Sequence, residues 1–161
     1  MSPANIVIRT GTREDIPAAF ALVQELALFE KAPQEVDNTP ERMLQDGFGE
    51  NPVFGFLVAE LDNQIAGMSL YFFRYSTWKG RRLYLEDLIV TEAFRGKGLG
   101  KLLFEATMKK ALELNCYGMA WQVLDWNTPA IEFYKKYGAT LDGEWVNCSL
   151  SREQLEMLND Y

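Results

Sequence analysis

Arg95-Gly96-Lys97-Gly98-Leu99-Gly100 sets glycines at alternate positions among basic side chains, and Lys101 follows directly. Glycine lets the backbone approach an anion closely and adopt dihedral angles that other residues avoid. Successive amide hydrogens at the start of a helix, with the positive end of its dipole, form a phosphate cradle. Taken alone, the same glycines are equally a turn that merely opens a helix. The segment lacks the GxxxxGK[ST] spacing of a P-loop. Its G-x-G-x-G spacing is not the G-x-G-x-x-G of a dinucleotide-binding turn. Diphosphate binding in another register remains.

The chain contains no histidine. Ser-His-Asp and Cys-His nucleophilic systems are therefore excluded, and so is histidine-ligated zinc. Acid and base must come from Asp, Glu, Tyr, Lys, Cys or a terminus. Cys116 and Cys148 stand far apart, with no CxxC pair, and read as structural; no metal site is expected. Cys148 has no visible activating partner for a nucleophile.

With 161 residues, 48% hydrophobic and 13% aromatic, the chain holds enough apolar material for one core, and residues 1–161 are expected to form a single domain. A net charge of −7 argues against nucleic acid as a partner and weakly favours cations. There is no basic-then-apolar leader and no apolar run long enough to span a membrane, so no membrane association and a cytoplasmic location are expected.

The elements that must position these residues follow from pattern and punctuation. Ile6 to Arg9 is expected as a strand. Thr12 and Asp15 form a capping box ahead of a helix with the stripe Ile16, Ala19, Phe20, Val23, Leu26 and Ala27. Thr39-Pro40 opens a short helix ending near Asp46-Gly47. Strands are expected over 54–61, 65–73 and 83–90, the first two joined by an Asp62-Asn63 turn. The glycine loop leads into a helix ending near Leu114-Asn115, and Tyr117 to Leu124 is read as a strand. Asn127 caps a helix with Pro129 in its first turn, ending at Gly138. Thr140 to Val146 is read as a last strand, and Ser151 with Gln154 caps a terminal helix. Interleaved strands and helices with adjacent middle strands predict an α/β (α+β) fold: a mixed, mostly antiparallel central sheet with helices on both faces.

Arg95, Gly98 and Gly100, standing after the strand 83–90 as R-x-x-G-x-G, resemble the acetyl-CoA loop of the GNAT superfamily of N-acetyltransferases. Asn127-Thr128-Pro129-Ala130-Ile131-Glu132-Phe133-Tyr134-Lys135-Lys136-Tyr137-Gly138-Ala139 is similar to that superfamily's N-x-x-A-x-x-F-Y-x-x-x-G-F/A segment. Residues 46–52, 75–81, 84–87 and 123–127 resemble the diamine (spermidine/spermine) acetyltransferase group. Phe29-Glu30-Lys31 and Tyr75-Ser76-Thr77-Trp78-Lys79-Gly80-Arg81 look closer to its thialysine N-epsilon-acetyltransferase branch. Ser76 stands where the polyamine branch has an Asp.

The resemblance implies the GNAT fold, acetyl-CoA as cofactor, a small cationic amine as acceptor and a homodimer. It implies direct transfer in a ternary complex. The diphosphate would lie on Arg95, Gly96, Lys97, Gly98, Leu99, Gly100 and Lys101, with Asn127 and Tyr134 completing the cofactor site. The pantetheine arm would run along Leu88, Ile89 and Val90. Glu86 becomes the first candidate base, and it reads equally as a carboxylate that only holds the cation. Asp87, next in the strand, is expected on the opposite face. Tyr134 becomes the proton donor to the leaving thiolate, the alternative being a core aromatic; Tyr137, one turn on, is easily mistaken for it. Phe29, Glu30, Trp78, Glu86 and Asp87 are candidates to line the amine site, although Trp78 reads equally as a packed loop anchor and Glu30 as a solvated charge. Thialysine or a lysine-like amino acid is the leading acceptor. Polyamine acetylation, peptide acetylation and a non-catalytic CoA-binding sensor are the alternatives.

Overall fold

The computed structural model describes residues 4–160, in two compact units that divide between Gln122 and Val123. The first holds a five-stranded sheet: β1 (Ile6–Thr10), β2 (Gly55–Leu61), β3 (Gln64–Ser76), β4 (Gly80–Val90) and β5 (Met119–Trp121), in that spatial order. Neighbours run antiparallel except β4 and β5, which run parallel.

Alternate residues of the central strands face opposite sides, and each side carries helices. On one side Phe56, Val58, Met68, Leu70 and Ile89 pack with Ile16, Ala19, Phe20 and Leu22 of α1 (Ile16–Phe29) and with Met43 of α2 (Pro40–Phe48). On the other side α3 (Leu99–Glu113) lies against β3 and β4, and its Leu99, Leu103 and Phe104 are buried. One polar contact crosses that second layer: the hydroxyls of Ser69 and Thr107, both fully buried, stand 2.8 Å apart. Thr107 also donates to the Leu103 carbonyl at 2.7 Å, so neither hydroxyl is left without a partner. The expected mixed sheet with helices on both faces is the observed one.

α1 starts where the sequence signal puts it. The Asp15 carboxylate accepts from the Thr12 amide at 2.7 Å and from both terminal nitrogens of Arg9, at 2.7 and 3.0 Å. Arg9 also reaches Glu60 at 2.7 Å, which ties β1, β2 and the helix start together. Those bonds hold the Asp15 carboxyl low, at about 2.

β3 and β4 run longer than expected. β2 pairs with β3 only as far as Tyr71, and β5 meets β4 only at Leu83, Tyr84 and Leu85. Arg74 to Ser76 and Gly80 to Arg82 therefore have no strand partner but each other and form the end of a two-stranded ribbon. Its tip is closed by Ser76, whose hydroxyl accepts from the amides of Lys79 at 3.1 Å and Trp78 at 3.3 Å.

The second unit begins beyond β5. Asn127 caps α4 (Thr128–Lys135) by accepting from the Ala130 amide at 3.4 Å, and Gly138 turns the chain out at φ 75°. Ser151 and Gln154 cap α5 (Arg152–Glu156) reciprocally. Two expectations need correction. The strand expected over 117–124 shrinks to Met119–Trp121, its parallel ladder stopping at Leu85, where the bulge at Glu86 bends β4. The strand expected over 140–146 is absent from the described residues. Instead the Glu144 amide bonds to the Asp142 carboxylate at 3.0 Å, a local turn that competes with an extended chain.

Candidate active site

The register between β3 and β4 slips once. Leu70 pairs with Asp87 and Tyr71 pairs with Leu85, so Glu86 is an extra residue with no opposite partner. Such a bulge bends the strand and sharpens its twist. It also interrupts the two-residue alternation on which the expected opposite orientation of Asp87 rested. Asp87 shares the face of its partner Leu70 and of Ile89, both packed toward α1. Glu86 stands exposed, and Asp87 is half-buried.

Electrostatics bring Glu30, just past the end of α1, to the same place. Burial pushes the Asp87 carboxyl up to about 7, with the charges of Glu86 and then Glu30 adding to it. The Glu30 carboxyl is raised as well, by burial first and by Glu86 second. Burial and Glu86 raise the Tyr84 hydroxyl, partly offset by Arg74, whose guanidinium lies 5.4 Å from the Tyr84 ring centre. Glu30, Glu86 and Asp87 thus form a patch of negative charge on the α1 side of β4. Of the acceptor candidates, Phe29 stands beside this patch, next to Glu30 in the chain. Trp78 does not join it. It sits at the ribbon tip, 83% exposed, and six residues of strand separate Gly80 from Glu86, roughly 20 Å.

The bulge coincides with the end of the β4–β5 pairing. Beyond Leu85 no described strand pairs with the outer edge of β4, which leaves that edge open to another hydrogen-bonding partner as far as the Val90 carbonyl, which Arg95 takes. Ile89 keeps its side chain in the core, 4% exposed, and by the alternation of the ladder its backbone bonds toward Met68 of β3, so the outer edge is formed by its neighbours Leu88 and Val90. The edge ends at the glycine loop. Gly96 and Gly98 have φ of 79° and 81°, a left-handed conformation that other residues adopt at a cost, and a Cβ on either would meet no atom within 4 Å. The first intrahelical bond of α3 runs from the Leu102 amide to the Gly98 carbonyl, so Leu99, Gly100 and Lys101 present amides without helical acceptors. Lys97 and Lys101 are exposed around them. The Arg95 guanidinium folds back instead, donating to the Val90 carbonyl at 2.9 Å and lying 5.4 Å from the Phe29 ring centre. It joins the loop to the end of α1.

In the second unit, Tyr134 lies in the last turn of α4, at the end opposite the Asn127 cap. Its ring packs edge-on to Phe133 at 5.4 Å between centroids, and Phe133 packs in the same way on Tyr137. Cys116 and Cys148 are both free thiols. No group of metal-ligating side chains occurs among the described residues, and no helix of the described chain is long and apolar enough to cross a membrane. A cavity of about 410 Å³ between α1 and α2 is lined by residues that include Phe20, Gln24, Val36 and Thr39; none of the candidate cofactor, acceptor or catalytic residues lines it.

Three features escaped the sequence reading: the bulge, the open edge and the charge coupling of Asp87 with Glu30. Only the last left a trace, since Glu30 and Asp87 were both named as acceptor candidates without a reason to connect them.

Comparison with known proteins gives these features a context. The acetyltransferase (GNAT) family model matches residues 20–139, a span that runs across both units. Thialysine N-epsilon-acetyltransferase of Mus musculus is 39% identical over 166 residues, covering 96% of this chain and 98% of its own length. Spermidine/spermine N(1)-acetyltransferase-like protein 1 of Homo sapiens is 35% identical over 158 residues, covering 92% of this chain but 23% of that longer protein. Among solved structures, an integron cassette protein from the mobile metagenome of V. cholerae superposes with a TM-score of 0.76 at 20% identity, covering 97% of this chain and 98% of its own.

Proposed function

We propose, for a chain that belongs to the acetyltransferase (GNAT) family and is an N-acetyltransferase, that the acceptor is the amine of a small cationic molecule, best a thialysine or lysine-like amino acid. The observation that carries this is the acidic patch of Glu30, Glu86 and Asp87 beside an open β4 edge that leads to the glycine loop. A protonated amine needs negative charge to hold it and a base to free its lone pair, and the patch supplies both.

The family uses acetyl-CoA as its acetyl donor. In this reading the diphosphate rests on the amides of Arg95 to Gly100, with Lys101 adding charge. The pantetheine amides bond to the free edge of Leu88 and Val90, in place of a strand partner. Asn127 and Tyr134 belong to the same cofactor site, and the Tyr134 hydroxyl gives a proton to the departing thiolate. Transfer is direct, in a ternary complex, and residues 1–161 act as one catalytic domain. The absence of an activated cysteine or of any histidine supports direct attack over a covalent intermediate.

The preference for an amino acid over a polyamine rests on the ribbon. Ser76 carries no charge with which to hold a second ammonium. Lys79 offers a cation to an acceptor carboxylate. Arg81 does not share that task, since its guanidinium lies 3.9 Å from the Phe73 ring centre and donates to the Leu114 carbonyl at 2.7 Å. The ribbon tip stands far from Glu86 along β4, so Trp78 and Lys79 take part only from a second copy. A cytoplasmic homodimer is accordingly part of the proposal.

Thiol release from acetyl-CoA with thialysine, lysine, putrescine, spermidine and spermine tests it. The expected order places thialysine or lysine above the polyamines in kcat/KM. A clear preference for spermine would move the protein to the polyamine branch. Acetyl-CoA binding without thiol release to any amine would make it a CoA-binding sensor.

A further inference from the structure

We propose that Glu25 is a positioning residue for the acetyl donor: from α1 it fixes the turn that carries the glycine loop. The inference rests on the reading of that loop as the diphosphate site and deepens it.

The loop itself is loosely tied. The amides of Gly96, Lys97 and Gly98 donate to no acceptor among the described residues. A Cβ at Gly96 or Gly98 would meet no atom within 4 Å, so nothing packs closely on that side of either glycine. A glycine segment of this kind has many conformations, and a ligand that must select one of them binds more weakly. The loop is therefore best held from its ends. Its far end is α3, anchored by the buried Leu99 and Leu103. Its near end is a single 3-10 turn, Glu92–Phe94, directly after β4 and Thr91.

That turn has no cap of its own. Thr91 stands at the capping position, but its hydroxyl accepts from no amide of the turn. The hydroxyl donates instead to Glu25 Oε1 at 3.0 Å, and the Glu92 amide donates to the same oxygen at 2.9 Å. A free amide at the start of the turn is thus satisfied by a side chain from another element. The Thr91 amide reaches the Ala66 carbonyl of β3 at 2.8 Å, so the junction is tied to sheet and helix at once. Glu25 pairs with no Lys or Arg among the described residues. Its carboxylate serves these two donors, and bonds to a carboxylate are among the stronger ones.

A second contact comes from the same face of α1. Phe29 lies four residues on from Glu25, a spacing that puts both on one side of the helix. Its ring centre is 5.4 Å from the Arg95 guanidinium, which also donates to the Val90 carbonyl at 2.9 Å. Glu25 and Phe29 therefore hold the two ends of the segment 91–95, and Gly96 follows it directly. Of the two contacts, only that of Glu25 has the direction of a hydrogen bond and so sets the orientation of the turn.

The experiment is calorimetric titration of the full chain with acetyl-CoA, comparing Glu25→Ala, Glu25→Gln, Thr91→Val and Gly98→Val. Asp15→Asn, which breaks a carboxylate cluster at the other end of α1, controls for lost stability. Glu25→Ala should weaken acetyl-CoA binding roughly tenfold, the lower end of what hydrogen bonds to a charged group are worth. Glu25→Gln keeps an oxygen able to accept both bonds and should stay within about threefold of the natural protein. Thr91→Val removes one donor and should cost roughly threefold. In steady-state kinetics the alanine loss should appear in the KM for acetyl-CoA and not in the KM for the amine. In the ligand-free protein the Glu92 amide should exchange its hydrogen faster in Glu25→Ala than in Glu25→Gln. If the alanine variant fails to fold, Thr91→Val decides, and unchanged affinity there overturns the proposal. Unchanged affinity in a folded Glu25→Ala, beside a loss in Gly98→Val, overturns the role of Glu25 and leaves the loop reading intact. An equal loss in Asp15→Asn also overturns it, since Glu25 would then contribute only stability. Unchanged affinity in both Glu25→Ala and Gly98→Val overturns the loop reading as well.

Discussion

Gly98→Val tests the loop with two numbers that can be separated. Gly98 caps α3 at φ 81° and ψ 9°. A residue with a Cβ pays roughly 1–2 kcal/mol in that left-handed conformation. No clash adds to it, because the new Cβ meets no atom within 4 Å. At about 2–4 °C per kcal/mol for a chain of this size, the melting temperature should fall by roughly 2–8 °C. The isopropyl group then occupies open space in the loop where the diphosphate is expected. Acetyl-CoA affinity should drop by at least about tenfold, near 1.4 kcal/mol. Gly138→Val controls for strain, since Gly138 has φ 75° and an equally open Cβ outside the loop. Calorimetric titration with acetyl-CoA reads the affinity, and thermal melts read the strain. A folded Gly98→Val protein with unchanged affinity would refute the loop as the diphosphate site. Equal affinity losses in both variants would assign the effect to backbone strain.

Three further predictions follow from particular contacts. Tyr134→Phe keeps the ring stacked on Phe133 and removes one hydroxyl, so melts should match the natural protein while kcat falls roughly 10- to 1000-fold; equal turnover would make Tyr134 a packing residue. Asp15→Asn removes a carboxylate whose side chain is 8% exposed and whose pKa is lowered from 3.8 to about 2, so its ionised form contributes about 2 kcal/mol. Because the folded value is depressed, that stability is complete above the unfolded pKa and is lost as pH falls from about 4 toward 2. Urea titrations should therefore show the variant weaker at pH 7, with the gap closing over that window, and a constant gap would contradict the ion pair. Ser76→Asp should raise kcat/KM for spermidine relative to thialysine, and its carboxylate can accept from the Lys79 and Trp78 amides as the hydroxyl does, so an unchanged ratio in an intact ribbon would remove Ser76 from acceptor choice.

What could be read from the chain divides along a physical line. Features encoded within a few residues were legible. Thr12 with Asp15, Asn127 and Ser151 with Gln154 are caps whose donors and acceptors sit three positions apart, and all of them form. The glycines at 96 and 98 both adopt left-handed dihedrals, as their spacing before a helix implied. Features that depend on distant strands were not legible. The end of β5 coincides with the bulge in β4 at Glu86, and nothing in Tyr117 or Leu124 records that. The segment 140–146 has strand-forming residues, but Asp142-Gly143 folds it locally before any ladder can form. Trp78 was an acceptor candidate by family resemblance, and the sequence carries no measure of how far along β4 the ribbon tip stands from Glu86.

The bulge at Glu86 shows how a single extra residue can act on both halves of a site. Asp87 lies two residues before Ile89 and shares its face toward α1, while the extra residue at Glu86 shifts the alternation of Leu85 and the residues before it. With the extra residue, the strand bends where the ladder stops. One edge is thereby left with unpaired backbone groups, which suits an extended ligand carrying amides of its own. Next to the bulge Asp87 stands on the α1 face, where desolvation and the charges of Glu86 and Glu30 raise its affinity for a proton. In the function proposed above, the edge for the donor and the acidic patch for the acceptor meet at this one irregularity of the backbone, so moving the bulge along β4 should disturb both together.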